Sequence, residues 1–173
     1  TESGQWTAPG EAGTTLRVIL VGGGNGGNTG ADGTWDAPGE NGEDGVGALI
    51  WAGTITINPQ QTFDVTIGHG GGIGQDGTAT IFGQYSSANG QRYSPSYTDV
   101  ASGNAYGRTG VQSPAPNTGD GGAGGIGGVK GNRHEETIET EWSWETIIVV
   151  DNYPGEGTPG VAGASGCVVI YWD

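Results

Sequence analysis

The sequence predicts an all-β protein in which short strands frame a sandwich of polyglycine-II helices, with long loops protruding from it. Three observations predict this. Glycine recurs at every third position in five separate runs. Apolar segments of strand length lie between the runs, and no segment repeats its apolar residues with a helical period. A helix of three residues per turn brings every third residue to one edge, so glycine there leaves the edge bare and a second backbone can approach it.

The chain has 173 residues, 39 of them glycine and 8 proline, which is the length of a single domain, 1–173. Its first apolar segment, residues 16–21, is nearly continuous and reads as a buried strand. Glycines 24, 27, 30 and 33 follow, then 39, 42 and 45. Residues 54–67 read as a hairpin: alternation over 54–57, a turn over 58–61, and alternation back over 63–67. Ile55, Ile57, Phe63, Val65 and Ile67 would then share a buried face. Glycines 68, 71, 74 and 77 lead into a short strand at 78–82, and glycines 119, 122, 125, 128 and 131 form the longest run. The last run, 157, 160, 163 and 166, leads into a terminal strand at 167–172. Ordering a glycine costs about 1–2 kcal/mol of backbone entropy, at the high end of that range. The runs are therefore expected to bond to one another and to stand as a unit.

Two stretches fall outside this grammar and should protrude as loops. Residues 84–118 carry Tyr85, Arg92, Tyr93, Tyr97, Tyr106 and Arg108 among serines, asparagines and prolines. Residues 132–154 carry Arg133, His134, five glutamates, Trp142, Trp144 and Tyr153, with alternation from Ile138 to Ile148 that fits an extended ribbon or hairpin. Loops of this length in a compact domain carry function or are disordered.

Charge and chemistry narrow the function classes. A net charge of −14 argues against binding nucleic-acid phosphates or an anionic bilayer. No segment reaches transmembrane length, so no membrane insertion is expected. The absence of methionine, even at position 1, reads as a processed product or a piece of something longer. The single Cys167 sits in an apolar strand and reads as a small buried hydrophobe. His69 and His134 have no metal-ligand partner at a usual spacing, and no nucleophile has a supporting base. Gly22, Gly24 and Gly27 satisfy G-x-G-x-x-G, but the segment after them is no helix, so the dinucleotide reading fails. Residues 71–78 approach a calcium-binding nonapeptide only once. Asp32, Asp36, Glu40, Glu43 and Asp44 cluster without the spacing of an EF-hand. The expectation is a protein that is not an enzyme, with no cofactor and no resident metal.

The segment Gln5-Trp6-Thr7-Ala8-Pro9, the strand at 16–21 and Gly22-Gly23-Gly24 resemble the opening of the glycine-rich domain of phage and prophage tail-fibre proteins. Residues 65–71 resemble its middle and residues 163–172 its close. The domain is similar to the distal adhesin of T-even-type phages. The resemblance implies a virion or extracellular protein whose glycine helices form a sandwich. Loops at its tip would bind a bacterial surface protein or a neutral glycan, and its other end would join the rest of a fibre. It places the candidate loops at 34–38 and within 84–118 and 132–154. Trp35, Arg92, Tyr93, Tyr97, Tyr106, Arg108, Trp142, Trp144 and Tyr153 are the candidate receptor-binding residues, because Tyr, Trp and Arg give large contact area at low entropy cost. The alternative is a structural subunit of an extracellular filament or virion surface. Ice binding is disfavoured because the threonines form no regular ladder.

Overall fold

The computed structural model describes residues 2–10, 12, 14–92, 119, 122–139 and 144–172. Its strands are β1 (Gly4–Thr7), β2 (Thr15–Val21), β3 (Leu49–Thr56), β4 (Thr62–Thr66), β5 (Ile81–Phe82), β6 (Tyr85–Ser86), β7 (Gln91–Arg92), β8 (Asn132–Glu139), β9 (Trp144–Asn152) and β10 (Cys167–Tyr171). The fold is all-β; the one helical turn among the described residues is a 3-10 turn at Ser87–Asn89.

Two four-stranded antiparallel sheets form the base. One has the order β1-β4-β5-β6 and the other β10-β2-β3-β7. They share a core of Leu16, Val18, Leu20, Ile55, Ile57, Phe63 and Phe82, with Trp6, Val65, Val168, Ile170 and Trp172 packed around it. Phe63 and Phe82 stack at 4.5 Å, and Trp6 tilts against Phe82 at 5.7 Å. Val18, Ile19, Leu20 and Val21 are all buried, as a strand covered on both faces requires.

Two expectations are corrected here. The segment 54–67 is not a hairpin: β3 pairs with β2 and β7, whereas β4 pairs with β1 and β5. The turn at 58–61 carries the chain from one sheet to the other. The apolar residues on either side therefore meet across the core instead of along a ladder. Ile55, Ile57, Phe63 and Ile67 are buried all the same, and Val65 is half-buried. The second correction concerns residues 84–92, which are not loop. Tyr85 stacks on Trp51 at 5.0 Å, and β7 pairs with Leu49 and Ile50.

The glycine runs rise from the sheets as a bonded array. The first run, 22–34, donates its amides to three neighbours in rotation. Gly24, Gly27, Gly30 and Gly33 donate to the fifth run, at Ala164, Val161, Thr158 and Gly155. Asn25, Asn28 and Ala31 donate to the second, at Val46, Glu43 and Glu40; Gly23 and Gly26 donate to the third, at Thr78 and Gln75. Its carbonyls at Asn25, Asn28, Ala31 and Thr34 accept from Gly122, Gly125, Gly128 and Gly131 of the fourth. Rotation through three directions is what a three-residue turn supplies; a strand with a two-residue pleat offers only two. At most periodic glycines the neighbouring backbone lies where a Cβ would be: on Gly125 it would collide with the Thr158 carbonyl oxygen and the Gly30 nitrogen.

The third run departs from a straight array element. Gly74 has φ +65° and Gln75 donates to the Gly72 carbonyl, so the chain reverses there and Thr78 returns to bond the His69 carbonyl. The base and the array meet at Thr80. Its buried hydroxyl donates to the Val21 carbonyl at 2.6 Å and accepts from the Gly68 amide at 2.9 Å, and its amide donates to Ser87 Oγ at 3.0 Å.

Replacing Gly125 with Val is expected to abolish folding or lower the melting temperature by more than about 10 °C, since no relaxation of a side chain relieves a clash with backbone. Ala123→Val, two residues away on an exposed position, should melt within about 2 °C of the parent. Thermal denaturation followed by circular dichroism checks both. A crystal structure is expected to show the first, second, fourth and fifth runs rising about 3.1 Å per residue in left-handed turns; a two-residue pleat would contradict this.

Candidate functional site at the apex of the array

The array separates two ends. At one, the runs enter β2, β3 and β10; at the other, they are joined by the turn after residue 33 and by the β8–β9 ribbon. The turn is built by Thr34. Its amide donates to the Ala37 carbonyl at 2.8 Å, and its hydroxyl accepts from the amides of Asp36 and Ala37 at 3.3 and 3.0 Å. That fold-back projects Trp35. The Gly131 amide donates to the Thr34 carbonyl at 2.9 Å, and the Gly33 amide to the Gly155 carbonyl at 2.8 Å. Both ends of the β8–β9 segment are thereby tied to the turn.

Trp35 and Tyr153 meet there with ring centroids 5.7 Å apart and planes at 58°. The Arg133 guanidinium lies 5.2 Å from the Trp35 ring centroid, in cation–π range. Gly131 leaves room for this group: a Cβ on it would collide with Pro154 and with Trp35 Cε3. Tyr153 is 72% exposed and Trp35 half-buried, so the Trp anchors and the Tyr is presented. Asn152 closes the ribbon base by donating from Nδ2 to the Lys130 carbonyl at 3.1 Å. A bulge between Asn132 and Arg133 leaves Asp151 outside the ladder, and its carboxylate meets His134 Nδ1 at 3.0 Å.

The structure thus brings together two of the candidate residues, Trp35 and Tyr153. Arg92 is in β7, paired with Leu49 in the base, and its backbone belongs to the sheet half of the molecule. Trp144 opens β9 opposite Glu139. Tyr93, Tyr97, Tyr106, Arg108 and Trp142 lie outside the described residues. Arg133 is the member that sequence reasoning left out of the site; the available signal was its place immediately after a glycine run that returns to the same end as Trp35.

Asp32 and Asp44 of the acidic cluster, with Asn41, have a structural task. Asp44 Oδ1 accepts from the Gly124 amide at 2.7 Å, Asn41 Oδ1 from Gly127 at 2.9 Å, and Asp32 Oδ1 from Gly157 at 2.9 Å. Each reaches from its own run to an amide of a neighbouring run. Among the described residues no three His, Cys, Asp or Glu side chains converge, and no helix is long and apolar enough to cross a membrane. A cleft of about 390 Å³ lies in the sheet half between Trp6 and Trp172, and a cavity of about 200 Å³ at the junction with the array beside Asn25 and Asp76. Trp35 and Tyr153 line neither of these. Comparison with protein-family models, curated proteins and solved structures gives no match.

Cys167 is buried in β10, and burial pushes its thiol up to about 11. It is expected to resist a disulfide reagent at pH 8 in the native protein and to react once the protein is denatured. The sign for stability follows. The folded pKa is raised from 9.0 to about 11, so the unfolded chain loses its proton first. Stability from this group is full below pH 9 and declines as pH rises from about 9 to about 11. Denaturant titrations at stepped pH measure the decline.

Proposed function

We propose that this protein is the receptor-binding domain at the end of a phage tail fibre, carried on the virion or released outside the cell, and that it binds a bacterial surface protein or neutral glycan without catalysis. The observation that carries the reading is the apex group. Trp35, Tyr153 and Arg133 are residue types enriched at binding hot spots, held at the end of an array whose register fixes where they stand. The glycine runs, read as polyglycine-II helices, are the rigid support. Contact through an exposed Tyr beside an anchored Trp suits a protein loop or the apolar face of a sugar ring.

One observation favours the second reading, a structural subunit of an extracellular filament or virion surface. Ile126 and Val129 on the fourth run and Val161 on the fifth are exposed (67%, 62% and 57%) along one flank of the array. The backbone bonds of Thr158 to Ile126 and Val161 to Ala123 place the two runs side by side. Such a flank suits lateral assembly.

Labelled protein titrated onto whole bacteria from a panel of species tests the first reading. The parent should bind at least one species, and Trp35→Ala and Tyr153→Ala should each weaken that binding about tenfold or more while melting as cooperatively as the parent. Equal binding by parent and variants would remove the apex from the reading. Concentration-dependent polymerisation that Ile126→Asn abolishes would move the structural subunit ahead.

A further inference from the structure

The ribbon of β8 and β9 carries apolar surface that its own pairing does not cover. In β9, Ile147, Ile148, Val149 and Val150 are four successive β-branched apolar residues. Ile147, Ile148 and Val150 are 38%, 60% and 37% exposed, and Val149 is half-buried. Such runs belong to strands with apolar cover on both faces. Here each strand of the ribbon packs chiefly on the other, and a two-stranded hairpin by itself is marginal in water.

The register shows which edge is open to a partner. Ile148 is opposite Glu135 and Val150 opposite Arg133 on one face; Ile147 is opposite Glu136 and Val149 opposite His134 on the other. The β8 side of the ribbon is therefore polar and acidic on both faces, and the β9 side apolar on both faces. A strand laid beside β8 would bury carboxylates. A strand laid beside β9 would find apolar neighbours above and below the sheet plane and, within it, backbone groups that no strand among the described residues pairs. We propose that the free edge of β9 takes up an extended strand of a partner protein, one rich in β-branched apolar residues and carrying Lys or Arg.

The charge of the partner follows from the chain. Glu135 and Glu136 are exposed one strand away from the docking edge, within a molecule of net charge −14. That field speeds the approach of a basic strand and opposes a second copy of this chain. Backbone pairing supplies affinity and the alternating side chains supply selection. The inference rests on the receptor-binding reading for the source of the partner, a bacterial surface protein, and on the ribbon alone for the mode of binding.

The test uses the whole protein and a labelled, end-blocked peptide of about ten residues alternating lysine and valine, with a glutamate–valine peptide as comparison, in about 150 mM salt. Fluorescence anisotropy should show the lysine peptide binding about tenfold or more tightly than the glutamate peptide, and hydrogen exchange should slow at β9 amides. The double variant Ile148→Asn, Val150→Asn keeps every charge and changes only exposed residues, so it should melt like the parent and lose about tenfold or more in affinity. Lysine-peptide binding that the double variant retains, with no protection in β9, would be charge attraction alone and would overturn the proposal. A dimer of the parent that the double variant abolishes would also overturn it, by assigning the edge to a second copy. Peptide pairing by a parent that binds no bacteria would uphold the strand-accepting edge while ending the receptor-binding reading.

Discussion

The backbone hydrogen bond between glycine runs is the interaction on which the rest of the molecule depends. An isolated glycine helix has no internal bonds, so its order comes wholly from its neighbours. Each such bond contributes about 0.5–1.5 kcal/mol net, comparable to the entropy lost in ordering one residue. No run is therefore stable alone. The first run serves four others, and its removal would leave amides or carbonyls on each of them unpaired. Side chains add to these bonds: Asp32, Asn41 and Asp44 accept from amides of Gly157, Gly127 and Gly124 on neighbouring runs. The sheets complete the unit: the buried Thr80 hydroxyl bonds both β2 and the start of the third run, so base and array share one polar junction.

Much of the fold was legible because two patterns are written into the chain. The three-residue period located every run, and continuous apolarity marked β2 and β10. The failures have physical causes. Gly74 keeps the period of three yet takes a positive φ, and glycine adopts either sign so readily that its spacing cannot separate a straight run from a folded one. The turn at 58–61 has the same residues whether the chain folds back within a sheet or crosses to a facing one, and either path buries Phe63. β5, β6 and β7 are two residues long, too short for alternation to register. At the apex, Trp35 and Tyr153 were readable as aromatics in connecting segments. The placement of Arg133 over Trp35 was not, because it depends on the fourth run lying parallel to the first, which spacing alone does not state.

The two halves divide the physical work. The base is an ordinary apolar core, in which Leu16, Val18, Leu20, Phe63 and Phe82 are buried by two sheets. The array has almost no apolar interior, and its side chains point outward. Residues on it are therefore held in place without being part of a core, and the apex inherits that arrangement: Trp35, Arg133 and Tyr153 rest on one another and on a backbone whose position is already set.

The rotation of the first run's amides through three neighbours also limits how such a chain can change in length. Inserting or deleting one residue within the run turns every later amide by a third of a circle and points it at the wrong partner. Only a change of three residues restores the directions, and it also shifts the end of that run by one repeat relative to the others. The runs must therefore lengthen together, by whole triplets. The connections at the apex are free of this rule, so sequence variation in a lineage of such proteins should appear as insertions of any size at the tip and as triplets, added in concert, along the shaft.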